Sequence, residues 1–271
     1  MVPRAGAIEM GLVSEIDRVV CINLDRHPER WESFTAQIGR IGADWPFGSV
    51  ERVAGIDGRE LECPDWWDAG PGAWGILQTL LGVFRAALED GVKGLLVFED
   101  DAVFPADFPR QVGEFIEHVP DDWEGLYFGG EHMFSDLRPP VLVNEHVLRC
   151  TNVSRAHAMV LRGEYLQMAY HYCSDMKDWS RYRGFHVDHR LGVLHETGRY
   201  NIYAPVRWLV GQAAGQSDIS MRMEELRFWN DQSASLCCSC LRVYITDLPY
   251  YRSLNRPDWY VFIRMAYCSG E

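Results

Sequence analysis

Gly94-Leu95-Leu96-Val97-Phe98-Glu99-Asp100-Asp101-Ala102-Val103-Phe104 decides how the rest of the chain is read. A glycine and four apolar residues run straight into three consecutive carboxylates. The apolar part is short and continuous, as expected of a strand buried on both faces of a parallel sheet. Acids crowded at the tip of such a strand repel one another, and a hard divalent cation taking oxygen ligands relieves that repulsion. In open α/β sheets, ligands bind just beyond the carboxyl ends of the strands, where these acids fall. A solvated acidic turn is the plain reading of a lone Glu-Asp pair. Three acids backed by Val103 and Phe104 favour a metal site.

Working outward, the chain alternates strand and helix. Arg18 to Leu24 reads as a first buried strand, and Pro28 opens a helix that buries Trp31, Phe34, Ile38 and Ile41 at 3/4 spacing. Val50 to Gly58 gives a short strand and a glycine turn. Gly72 to Glu89 is the clearest helix, with Ala73, Leu77, Leu80, Leu81, Phe84 and Leu88 on one face and Gly91 past its end. Beyond the acids, a helix starting at Asp107 or Pro109 reaches His118, and Gly125 to Phe128 is a strand. Gly129-Gly130 then allows a sharp turn or close approach to a ligand. Val147 to Val153 and His157 to Leu161 read as two strands, Glu164 to Tyr172 and Asp188 to His195 as helices, and Asn201 to Ala204 as a strand. This order predicts an α/β fold with a mainly parallel, Rossmann-type sheet flanked by helices. No GxGxxG follows the first strand, so the dinucleotide fingerprint is absent. The expected division is an N-terminal extension (1–17), a main domain (18–220) and a C-terminal appendage (221–271).

Composition narrows the function. The 271 residues are 47% hydrophobic and 13% aromatic, enough for a substantial core. A net charge of −13 argues against a duplex-binding protein, whose affinity rests on many Lys/Arg–phosphate contacts. No stretch approaches the roughly 20 apolar residues of a membrane span, and Met1 to Asp17 lacks a signal-peptide core. The expectation is a soluble, cytoplasmic protein. Cys21, Cys63, Cys150 and Cys173 stand alone and read as reduced core residues. Cys237, Cys238, Cys240 and Cys268 crowd the end without a second CxxC or His pair at zinc spacing.

Five stretches, in order, resemble glycosyltransferase family 25, the lipooligosaccharide-type transferases related to collagen galactosyltransferases. Val20-Cys21-Ile22-Asn23-Leu24-Asp25-Arg26 with Arg30 is similar to the family's "INLDRxxxR" opening. Val53 to Gly58 is similar to its "AvdG" segment. Gly72-Ala73-Trp74-Gly75, the long helix and Val97 to Ala102 resemble its "GaxGc…lvlEDDa" block. His186-Val187-Asp188 stands at a "PVD"-type motif, and Gln216 to Ile219 at a closing "SDI" segment. The chain departs where the family helix carries a Cys and then Ser-His; Ile76, Thr79 and Leu80 occupy those positions. His157, His186, His189 and His195 are also outside the pattern.

The resemblance implies a GT-A fold and an inverting transfer of a hexose, galactose or glucose, from a nucleotide sugar, a UDP-sugar first of all. The acceptor implied is a glycan or lipid-linked saccharide, as in lipopolysaccharide biosynthesis. It implies Mn²⁺ or Mg²⁺ held by Asp101, with Asp100 as ligand or ribose contact, Glu99 in support and His189 (or His186) as a further ligand. Asn23, Asp25, Arg26 and Arg30 fall where the first strand meets the nucleotide. An arginine there offers a guanidinium fork to a diphosphate or is a solvated helix-start residue. Asp188 is the candidate general base or the N-cap of the helix after it. Asp218, at the "SDI" position, is a candidate to close the donor or acceptor pocket or is a plain loop-capping Asp, and Trp66, Trp67 and Trp208 are candidates for stacking on sugar rings or core residues. Two other functions fit the same acids: a metal-dependent nucleotidyltransferase or phosphohydrolase, and a sugar-nucleotide-binding relative without catalysis.

Overall fold

The computed structural model describes residues 11–135, 138–180 and 186–229. The first strand, β1 (Arg18–Leu24), is followed by α1 (Pro28–Ile41) and the short β2 (Glu51–Gly55). Then come α2 (Gly70–Glu89), β3 (Gly94–Glu99), the two-residue β4 (Ala102–Val103) and α3 (Phe108–His118). The second half holds β5 (Gly125–His132), β6 (Val141–Leu142), β7 (Val147–Arg149) and β8 (Val153–Arg162). Helices α4 (Gly163–Ser174), α5 (Met176–Trp179) and α6 (Val187–Glu196) lead to β9 (Ile202–Pro205) and β10 (Gly211–Gln212).

The fold is α/β. Eight strands form one sheet in the order β2-β1-β3-β8-β5-β9-β7-β6. β2, β1 and β3 are parallel, β8 runs against both its neighbours, and β9 is parallel to β5. β3 alternates as the period of two requires. Leu96 and Phe98 join the aromatic core with Phe34 of α1 and Phe104, Phe108, Val112 and Phe115 in and before α3. On the opposite face lie α2, α4 and α6, contributing Leu77, Phe84, Tyr165, Leu166 and Leu191, all buried. Gly91 follows α2 at φ +68, the left-handed position that glycine adopts without a Cβ penalty.

Several expectations need correction. The two strands expected at 147–153 and 157–161 are β7 and one ten-residue strand, β8, whose polar stretch at Ser154-Arg155 hides its continuity. Gly129 and Gly130 lie inside β5, at two register shifts against β8. Their close neighbours are protein, His157 and Val210 for Gly129 and Val153, Ser154 and Trp208 for Gly130. Within 1–17, Val13 and Ile16 are buried in the aromatic core, so the segment from residue 11 packs on the domain. Residues 221–229 continue the fold as well. Met223–Glu224 pairs with Gly215–Gln216, and Arg227 bridges Gln212. Cys21, Cys150 and Cys173 are buried free thiols and Cys63 is half-buried, whereas Cys237, Cys238, Cys240 and Cys268 lie outside the described residues. Among the described residues, no helix is long and apolar enough to cross a membrane.

Candidate functional site

Parallel register sets the site. Ile22 is paired with Glu99 and Leu24 with Gly55, so the chain leaves β1, β2 and β3 at one edge of the sheet. The Asp100-Asp101 turn is fixed from both sides. Gln37 of α1 donates to the Ala102 carbonyl and accepts from the Phe104 N–H, each at 3.0 Å. On the other side β10 pairs with β4, and the Ala213 N–H donates to the Asp101 carbonyl at 2.7 Å.

Three carboxylates stand at the tip of β3, and the charge of a fourth, Asp188, is felt at Glu99. Glu99 lies in dense protein with only an edge in solvent. Burial raises its carboxyl well above the usual range, and the charges of Asp101, Asp188 and Asp100 raise it further, against Arg155. Burial and the charge of Asp100 push Asp101 up to about 6. Asp101 Oδ2 has only a long contact, 3.4 Å, from the Gln212 amide, and its buried Oδ1 has no partner among the described residues. Burial also raises Asp100, opposed by Asn23 and Arg30.

Asn23 is 1% exposed. Its amide donates to Asp100 Oδ2 at 2.6 Å and to the His27 carbonyl, and its oxygen accepts from Arg52 Nε. The residue expected to meet nucleotide therefore orients Asp100. Asp25 is an exposed partner of Arg52, away from the acids.

The two sequence candidates for diphosphate contact are committed inside the protein. Arg26 donates to Asp57 at 2.8 Å and to Asp218 at 2.7 Å, with His27 Nε2 2.6 Å away. Arg30 donates to the Gln216 carbonyl and lies 3.6 Å from both Asp100 and Asp218. Asp218, brought in from the far end of the chain, thus locks the closing segment onto the start of α1. Burial raises its carboxyl, but Arg26, His27 and Arg30 outweigh that and hold it below the usual range.

Asp188 is not the N-cap of α6; His186 takes that place, and Asp188 sits one residue into the helix. Its Oδ2 accepts from the Ser154 hydroxyl at 2.6 Å and the Arg155 N–H at 2.8 Å, and Oδ1 accepts from the His189 N–H. Burial raises this carboxyl, yet His189, Ser154, His186 and the Arg155 N–H together hold it far below the ordinary range. Both carboxylate oxygens are thus committed to donors inside the protein. His189 Nδ1 accepts from the His186 N–H at 3.3 Å and so caps α6. Trp208 is core, its ring tilted against His132 with centroids 4.7 Å apart, and Trp66 and Trp67 pack against Trp74 and, for Trp67, Trp179. Thr79, where the family Ser-His pair is missing, donates to the Gly75 carbonyl and accepts from the Ile56 N–H.

Sequence reasoning missed Gln37, Gln212, Glu131, Ser154 and Arg155. Each is an ordinary polar residue far along the chain from the acids, and only the strand order brings it there.

The donor set suits Mg²⁺ or Mn²⁺, being all carboxylate oxygen with one buried oxygen that lacks a partner among the described residues. Among the described residues, no three His, Cys, Asp or Glu side chains converge to form a cage. Mg²⁺ usually needs none, since one or two carboxylates, substrate phosphates and water complete its shell. A groove of about 480 Å³ at the other edge of the sheet, lined by Glu15, Lys93, Asp122 and Arg162 among others, holds none of these acids.

No family model matches the chain, and no curated protein matches it. Among solved structures it is similar to a glycosyltransferase involved in the glycosylation of the major capsid of PBCV-1, at 8% identity over 59% of this chain and 66% of that one, TM-score 0.36. The chain therefore spans just under two thirds of that protein. A UDP-glucose pyrophosphorylase complexed with UDP-glucose is similar at 9% identity over 89% and 83%, TM-score 0.39. A mannose-1-phosphate geranyltransferase from Thermus thermophilus is similar at 10% identity over 70% and 73%, TM-score 0.36. At that level of likeness the chemistry rests on the residues themselves.

Proposed function

We propose that this chain is a metal-dependent glycosyltransferase of the kind its motifs resemble, moving a hexose from a nucleotide sugar to a glycan-type hydroxyl. The observation that carries this reading is the Glu99-Asp100-Asp101 tip, held at the carboxyl edge of the sheet with a buried Asp101 oxygen that has no partner among the described residues. In this reading Asp101 and Asp100 hold Mn²⁺ or Mg²⁺, which when bound neutralises charge on the diphosphate leaving group. Asn23 keeps Asp100 turned towards the tip. Gln37 and Gln212 brace the Asp101 turn, and Asp218 with Arg26 closes the segment at 216–219 over α1. Asp188 is a fixed negative charge that holds Ser154 and the Arg155 backbone beside Glu99.

The gathering of a fourth carboxylate, Asp188, beside Glu99 favours one second reading, a nucleotidyltransferase or phosphohydrolase using two metals. One experiment separates them: incubation with UDP-, GDP- and CMP-sugars, with and without Mn²⁺, followed by product analysis. Release of free hexose and the nucleotide, dependent on metal and abolished in Asp101→Asn, is the expected outcome. Release of sugar 1-phosphate, with nucleoside monophosphate in buffer alone or with nucleoside triphosphate when pyrophosphate is added, assigns the second reading. Thermal stabilisation by a donor without turnover leaves a binding protein, and no response to any donor sinks all three.

A further inference from the structure

Arg155 is a cation whose charge reaches the buried Glu99. It lies within β8 at φ +67, a left-handed conformation that strains a non-glycine residue. It faces the stretch of β5 where the register slips twice. Its own N–H donates to Asp188, so the twist is held in place by the buried carboxylate. Its guanidinium lies 3.7 Å from the centroid of the Trp229 ring, and its Nε donates to Glu131 at 3.2 Å. The two terminal nitrogens have no hydrogen-bond partner among the described residues, and the side chain is 34% exposed. A guanidinium stacked on an aromatic face keeps its in-plane N–H edge available, the geometry that matches phosphate oxygens. Arg26 and Arg30, by contrast, have their forks turned to Asp57, Asp218 and the Gln216 carbonyl.

We infer that Arg155 is the phosphate-gripping residue of the site, presenting its open fork to the diphosphate of a nucleotide ligand beside Glu99 and Asp101. This rests on the nucleotide-sugar reading above and adds the residue that recognises the phosphates. The strained bulge then has a purpose: it turns the side chain towards Glu131 and the Trp229 ring, where its charge is felt by Glu99.

The test is calorimetric titration of the full chain, in Mg²⁺, with uridine, guanosine, cytidine and adenosine diphosphates and with each parent nucleoside. Arg155→Gln is expected to weaken the diphosphate that binds by about 10- to 100-fold, the loss of one charge-assisted bidentate contact. Binding of the parent nucleoside should change by less than about twofold, because it has no phosphate for Arg155 to hold. Arg155→Lys, with the charge but not the fork, should fall between. Arg155→Gly guards against a folding artefact: it relieves the positive φ, so it should melt no lower than wild type and yet lose the same affinity. Diphosphate binding unchanged in Arg155→Gln or Arg155→Gly overturns the inference and leaves the nucleotide-sugar reading standing. So does an equal loss for nucleoside and diphosphate. Wild-type protein that binds none of the four overturns both.

Discussion

Asn23 and Asp101 are neighbours at the tip of the sheet, and their substitutions should move stability in opposite directions. Asn23 commits its amide to Asp100 and the His27 carbonyl and its oxygen to Arg52, all within a nearly closed site. Asn23→Asp places a second carboxylate 2.6 Å from Asp100 and removes its donor. The expected loss is roughly 3–5 kcal/mol, against about 1–3 kcal/mol for Asn23→Ala, which leaves unmet partners but adds no charge. A thermal melt of Asn23→Asp at the wild-type temperature would contradict this assignment. Asp101 is the reverse case, a buried carboxyl pushed up to about 6 by burial and Asp100. Without metal at pH 7, Asp101→Asn should be more stable by roughly 1–2 kcal/mol, because the neutral amide ends the repulsion. Addition of Mn²⁺ should then raise the melting temperature of wild type and leave the variant unmoved. A variant less stable than metal-free wild type would show that the charge is not under strain. The acids themselves were legible in the sequence, because three carboxylates after an apolar run form a local pattern. Asn23 was legible as a site residue but not as the holder of Asp100, since that bond joins positions 77 residues apart.

Helix α2 meets the end of β2 through glycines, and the spacing between these elements depends on them. A Cβ on Gly58 would overlap the Pro71 carbonyl, one on Gly75 the Ile56 carbonyl, and one on Gly72 the Asp218 carbonyl. The two glycine-bearing segments of the family resemblance are thus one contact, tied further by Thr79 to the Ile56 N–H. Gly75→Ala should cost about 2–3 kcal/mol, as forced overpacking of rigid backbone does. Gly82, in the same helix, has nothing within 4 Å of the place an added methyl would take, so Gly82→Ala should gain roughly 0.5–1 kcal/mol from helix propensity. Urea unfolding of the pair checks both signs; a neutral Gly75→Ala would mean that the helix can shift away. At this scale the sequence was informative where the signal was local. β1 and α1 fall at the residues expected, because the apolar run, Pro28 and the 3/4 spacing are all near-neighbour signals. β8 was split in two because its polar, bulged centre answers to β5 across the sheet and to Asp188. The same long-range pairing delivers Arg155 to the acids, so neither the strand nor the residue could be read locally.

Across the whole molecule, three buried histidines should make the fold sensitive to acid. Burial lowers His132 and His157 to about 4 and, together with the charge of His132, lowers His195 to about 3. The His195 tautomer follows from its partners. The Val153 N–H donates to Nδ1, so Nε2 carries the proton and donates to the Tyr165 hydroxyl at 2.7 Å. A second proton on Nδ1 would face that N–H and break the contact. Each histidine has an ordinary value of 6.5, so below it the unfolded chain takes up protons that the folded chain refuses. Their stabilising contribution is complete above about pH 6.5 and is lost as the pH falls towards 4. Glu99 and Asp101 act in the opposite sense. Their raised values mean that the fold binds protons more readily than the unfolded chain, which favours the fold as the pH drops towards the usual carboxylate range, for Asp101 from about 6. Urea midpoints of wild type should therefore fall between pH 6.5 and 4.5, by less than three histidines acting alone would give. In Asp101→Asn one opposing group is gone, so its midpoint should start higher at pH 7 and fall more steeply. A wild-type midpoint constant across this range would mean that water reaches the histidines. A shallower fall in the variant would mean that Asp101 is not the strained carboxylate, and the charge repulsion at the tip of β3 would have to be assigned to Glu99 alone.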